Sequence, residues 1–163
     1  MLHILFLCTG NTCRSPMAEA IYGQVSEKYS IKSIFSSAAL GFCNNQEVSP
    51  NAVIVCNEIG LDISKHKSRI LRYHDIEITD IFVVMTQSHA EALMSAGVPK
   101  SKIYILGNGI SDPYGSDIAT YRKCRNEISK GIEELCKIIR KRLDNNTLKD
   151  NNNGQYNNNR NEA

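Results

Sequence analysis

Leu2-His3-Ile4-Leu5-Phe6-Leu7, followed by Cys8-Thr9-Gly10-Asn11-Thr12-Cys13-Arg14-Ser15, is the stretch that decides the fold. A short unbroken apolar run reads as a strand buried on both faces of a parallel sheet. The residues after the loop read as a helix, with Ser15 at the N-cap, Pro16 at the first helical position and Glu19 in the first turn. The tight loop between strand and helix begins with a cysteine and ends with an arginine. Such a loop can turn its backbone N–H groups inward, and the helix N-terminus behind it adds a partial positive charge. The result is an anion cradle with a sulfur at its centre and a guanidinium at its rim. These surroundings favour a thiolate over a thiol. The same donors can hold three phosphate oxygens, with Arg14 bidentate, which leaves Cys8 set for in-line attack on a bound phosphoryl group. A lone cysteine at a strand end is more often an inert packing residue. The spacing Cys-x5-Arg-Ser between strand and helix start reverses that preference.

Further strands are expected at Ile34–Ala38, Ile81–Met85 and Ile103–Leu106. Helical spacing runs from Met17 to about Tyr29, from Ser49-Pro50 to a stop at Gly60, and from Gln87 to a stop at Gly97. Residues 39–48 read as a loop with Gly41, Asn44 and Asn45 as turn residues, and 65–74 as a short helical or irregular stretch. From Asp117 the residues Ile118, Tyr121, Cys124, Ile128, Ile132, Leu135, Ile139 and Leu143 recur every three to four positions, which predicts the longest helix. The alternation of strands and helices implies an α/β fold, a four-stranded parallel sheet covered by helices on both faces. Ligands of such sheets bind beyond the carboxyl ends of the strands, where Cys8 lies. From Asp144 the chain turns Asn-rich with almost no apolar residues, so residues 1–143 are expected to form one folded domain and 144–163 a disordered tail.

The 42% apolar content fits a globular domain, and a net charge of +2 gives no reason to invoke nucleic acid or a membrane surface. No apolar run approaches the roughly 18 residues of a membrane helix. The N-terminal apolar run lacks a preceding basic region, which argues against a signal peptide and for a cytoplasmic protein. Six cysteines are irregularly spaced and no Cys-x2-Cys pair occurs, so neither a disulfide framework nor a structural zinc site is expected. Cys56, Cys124 and Cys136 fall on helical apolar faces as packing residues. Cys13 shares the loop of Cys8 and leaves two readings open: a redox partner that traps an oxidised Cys8 as a disulfide, or a buried packing thiol.

Cys8 to Ser15, extended by Pro16-Met17-Ala18-Glu19, resembles the signature loop of the low-molecular-weight protein tyrosine phosphatase family, and Asp112-Pro113-Tyr114 resembles its aspartate-proline-aromatic loop. The resemblance runs over about residues 1–143 and implies the family's three-layer, flavodoxin-like fold. It also implies a phosphatase working through a cysteinyl-phosphate: Cys8 as nucleophile, Arg14 and residues 9–15 binding phosphate, Asp112 as acid and then base, and Ser15 supporting the thiolate. His66 matches a family histidine that hydrogen-bonds the loop asparagine, here Asn11, and Tyr114 matches the aromatic pocket wall. No cofactor or metal is implied; phosphorylated proteins are the substrates, and a monomer is expected.

Two departures bear on the substrate. Thr9 and Thr12 stand where many tyrosine-specific members carry aliphatic residues, and Gly115 stands where they carry a second aromatic. The pattern most resembles the bacterial protein-arginine phosphatase branch. A guanidinium leaving group carries several N–H donors, which a hydroxyl and a carboxylate can meet. Thr12 is therefore the candidate selectivity residue and Asp112 the guanidinium partner, with phosphotyrosine as the alternative substrate. Arsenate reductase chemistry on this fold needs a pair of redox cysteines after the third strand, and residues 86–97 hold none. A non-catalytic phosphoprotein-binding module would be favoured by loss of Cys8 or Asp112, and both are present. His3, His74 and His89 carry no motif.

Overall fold

The structure, a computed structural model, describes residues 1–43 and 45–158, with side chains through 146; Asn44, read above as a turn residue, and residues 159–163 lie outside the described residues. Four strands, β1 (Leu2–Cys8), β2 (Ser33–Ala39), β3 (Ile81–Val84) and β4 (Ile103–Ile105), form one sheet in the order β2-β1-β3-β4. Every pairing is parallel. The helices are α1 (Arg14–Lys28), α2 (Pro50–Asn57), α3 (Tyr73–Ile78), α4 (Gln87–Ser95) and α5 (Ile118–Asn158).

Alternation along the strands divides the core into two layers. Ile4, Phe6 and Cys8 of β1, with Val83, pack into the larger cluster against α1, α2 and α5. Leu5 and Leu7, with Phe82 and Val84, face the smaller cluster, which includes Ala90 and Leu93 of α4. Adjacent strand residues point to opposite faces, so a strand buried on both sides must be apolar throughout. On α5, Tyr121, Cys124, Ile128, Ile132, Leu135 and Ile139 are buried at the expected spacing. The end of α2 has Gly60 at φ +78°, with Leu61 N–H reaching Cys56 O and Gly60 N–H reaching Asn57 O. That left-handed termination favours glycine, as read from the sequence.

Three details differ from the sequence reading. Helix α1 begins at Arg14 with Cys13 at its N-cap, earlier than a Ser15 cap requires. The Ser15 hydroxyl is committed to Cys8 and Asn11 instead, and Glu19, beyond the first turn, accepts a hydrogen bond from Ser37. Of the stretch 65–74, residues 65–72 are irregular, with isolated bridges Glu47–Lys67 and Ala39–Ile70, and the helix begins only at Tyr73 and runs past 74 to Ile78. The Asn-rich segment continues α5 as helix to Asn158, although Leu143 is the last of the described side chains packed against the core. A helix already nucleated gains one backbone bond per added residue, and Arg140–Asp144 adds an ion pair on this stretch. Among the described residues no helix is long and apolar enough to cross a membrane.

Candidate active site

Cys8, the last residue of β1, is 3% exposed. Its sulfur accepts the Asn11 N–H at 3.2 Å and lies 3.0 Å from the Ser15 hydroxyl. Ser15 Oγ accepts from Asn11 Nδ2 at 2.8 Å, which leaves the serine proton free to point at the sulfur. Asn11 adopts φ +54°, a left-handed conformation that asparagine tolerates better than most residues. Its Nδ2 also donates to Ser37 of β2 at 3.0 Å. Its Oδ1 accepts the Arg69 N–H at 3.0 Å, and His66 Nε2 donates to its carbonyl and Oδ1 at 3.1 and 3.2 Å. The loop is thus held in shape by β2 and by segment 66–69.

Arg14 opens α1 and is 4% exposed. Nη1 donates to Ile110 O at 3.0 Å, and Nη2 pairs with Asp112 Oδ2 at 3.3 Å. Its Nε is buried with no partner among the described residues. Leaving a buried donor unsatisfied costs about 1–3 kcal/mol, more for a charged group. Arg14 lines a cavity of about 220 Å³ with Cys8, Thr9, Gly10, Thr12, Cys13, Gln46, Asp112 and Tyr114. An anion seated there would lie between the Arg14 and Cys8 side chains. A larger cavity of about 640 Å³ runs along α1, but its lining holds no thiol and no arginine. Among the described residues no group of three or more His, Cys, Asp or Glu side chains is placed to hold a metal ion.

Asp112 sits on the segment between β4 and α5, half-exposed, and its Oδ1 accepts the Tyr114 N–H at 3.1 Å. Gly115 comes next but two, at φ +76°. An aromatic residue would be strained in that conformation, so glycine here answers the backbone first. Tyr114 flanks the cavity alone, largely in solvent. The Cys13 sulfur is engaged by the hydroxyls of Ser49 at 2.9 Å and Tyr121 at 3.3 Å. Burial and the Cys13 contact push the Tyr121 hydroxyl up to about 12, so it stays protonated.

Every residue singled out from the sequence therefore reaches the cavity or the loop behind it. Two neighbours were missed. Gln46 lines the cavity from the loop after β2, tied down by exchange of hydrogen bonds with Ser68. His89, 8% exposed on α4, lies with Nε2 2.9 Å from Thr9 Oγ1, while its Nδ1 has no partner among the described residues. Burial, and then the Arg14 charge, lower its pKa, with Asp112 opposing. Its place at the carboxyl end of β3, where parallel sheets build their sites, was the one available signal.

Residues 3–147 match the family described as low molecular weight phosphotyrosine protein phosphatase. A protein-arginine-phosphatase of Bacillus subtilis is 30% identical over 148 residues, 86% of this chain and 98% of that protein. An arsenate reductase of Bacillus cereus is 33% identical over 133 residues, 81% of this chain and 92% of that protein. The crystal structure of a YwlE mutant from Bacillus subtilis superposes with a TM-score of 0.80 at 30% identity, covering 85% of this chain and 99% of that one. The match takes in both the cysteine loop and the segment bearing Asp112, and on that ground the chain belongs to the low molecular weight phosphotyrosine protein phosphatase family.

Proposed function

We propose that the chain hydrolyses phosphoarginine in proteins through a cysteinyl-phosphate. Cys8 attacks phosphorus in line; the P–N bond to the guanidino group breaks as the S–P bond forms, and the Asp112 carboxyl delivers a proton to the leaving nitrogen. Arg14 and the loop N–H groups carry the charge on the transferring group. Water, deprotonated by the Asp112 carboxylate, then cleaves the S–P bond and releases phosphate. The observation that carries the reading is the Arg14 guanidinium, its Nε buried and unpartnered among the described residues, on the wall of the same small cavity as Cys8.

The choice of phosphoarginine is supported by Thr12, which lines that cavity with a hydroxyl, and by the name of the Bacillus subtilis relative. Phosphotyrosine is the second reading, favoured by the family's description and by Tyr114 at the cavity rim. Against arsenate reduction, residues 86–97, which include α4, contain no cysteine. The deciding experiment is kcat/KM on phosphoarginine and phosphotyrosine peptides for the wild type and Thr12→Ile. Phosphoarginine should be preferred, and Thr12→Ile should shift the preference toward phosphotyrosine. A wild type that prefers phosphotyrosine would overturn the assignment of substrate and leave the family intact.

A further inference from the structure

His89 is buried and reaches across from α4 to the first loop residue after the nucleophile. Its Nε2 lies 2.9 Å from Thr9 Oγ1, a pair 80 residues apart in the chain. The other ring nitrogen, Nδ1, is buried and has no partner among the described residues. A neutral imidazole carries one proton, and where it sits decides what the Thr9 hydroxyl can do. With the proton on Nδ1, a buried N–H would be left without an acceptor, and the Thr9 hydrogen would be spent on Nε2. With the proton on Nε2, the imidazole donates to Thr9 Oγ1, and only a lone pair is left unpaired at Nδ1. Orphaned buried N–H groups are the rarer fault in folded proteins, so the second arrangement is favoured. The neighbouring Arg14 cation and burial oppose a second proton on the ring.

We propose that His89 is a positioning residue whose Nε2–H turns Thr9 into a hydrogen-bond donor aimed at the phosphoryl group in the cavity. Thr9 lines that cavity, and a hydroxyl whose lone pair is already occupied offers its proton to an acceptor. Phosphoryl oxygens are acceptors only, whereas a guanidinium offers only donors. The two threonines of the loop thus divide the substrate: Thr9 serves the phosphoryl half and Thr12 the leaving group. This inference rests on the reading of the loop as a phosphoryl site.

Inorganic phosphate, titrated into the wild-type protein at neutral pH, is the probe. No binding by the wild type would fail the phosphoryl-site reading itself. Given binding, His89→Leu and Thr9→Val should each weaken it about tenfold, as loss of a hydrogen bond to a charged group does. The double variant should lose little more than either single one, since both remove one device. His89→Gln, which keeps an N–H donor on a side chain of similar reach, should recover most of the loss. On the wild type, nitrogen-15 NMR of the His89 ring should show the proton on Nε2, a readout independent of whether any variant folds. A proton on Nδ1, or unchanged phosphate affinity in folded His89→Leu, would overturn the inference while leaving the phosphatase reading in place.

Discussion

Replacing Cys8 by serine keeps a hydrogen-bonding atom beside Ser15 and the Asn11 N–H but removes the nucleophilic sulfur. Turnover should fall by about 10⁴-fold or more while circular dichroism and inorganic phosphate binding persist. Asp112→Ala should lower kcat by about 10²–10⁴-fold, the usual worth of a positioned acid. Phosphate affinity should hold or rise, because the change frees Arg14 Nη2. Retained turnover in Cys8→Ser would remove the covalent mechanism. The residue types at these positions were legible because the chemistry is local: sulfur, loop and helix start lie within eight residues. The left-handed Asn11 and its His66 contact were legible as well, but its other partners and the place of His89 were not. Asn11 works through Ser37 and Arg69, 26 and 58 positions away, and no local pattern joins such partners.

At the scale of elements, helix α5 packs tightly at Gly131 on the chain just after β4. A Cβ added at Gly131 would lie 2.8 Å from Leu106 Cγ and 3.2 Å from Gly107 N. Leu106 is fully buried and Gly107 offers backbone, so neither yields easily. Gly131→Ala should cost about 1–3 kcal/mol by overpacking, less the roughly 1 kcal/mol that alanine gains in a helix. The urea midpoint measures the net loss. Because Leu106 and Gly107 lead into the segment carrying Asp112, kcat should fall as well.

Glu58, just past α2, is bound by Arg122 and Arg125 of α5. The Arg122 hydrogen bonds, aided by Arg125 and opposed by desolvation, hold its carboxyl down at about 2 against an ordinary 4.5. A depressed carboxylate stabilises the fold fully above its unfolded value, and that contribution fades as pH falls from about 4.5 toward 2. The thermal midpoint of Glu58→Gln should therefore lie below wild type at pH 7, with the gap closing over that acid range. A gap that persists unchanged at pH 2 would show that the pair adds no pH-dependent stability. The helix faces that make these contacts were legible from spacing, but the start of α1 was not. A serine is a cap only if its hydroxyl is free, and Ser15 had a better partner in Cys8.

At the scale of the whole molecule, alternating apolar runs and amphipathic stretches were enough to read a covered parallel sheet, since each strand must be apolar on both faces. The end of the regular apolar spacing at Leu143 was legible too, and Leu143 is the last of the described side chains packed against the core. What the continuing helix to Asn158 does was not, as composition registers burial and not backbone continuity. β1 lies between β2 and β3 and is bonded to both. Exposing its amides to solvent requires both ladders to part, which amounts to unfolding the domain, whereas amides at the tip around 112–116 are freed by local fraying. Deuterium should enter that tip within the first time points and reach β1 last, at the pace of global opening. The sulfur thus stands on the slowest clock in the chain and the acid on one of the fastest, so the rim can admit and release substrate many times before the floor once lets go.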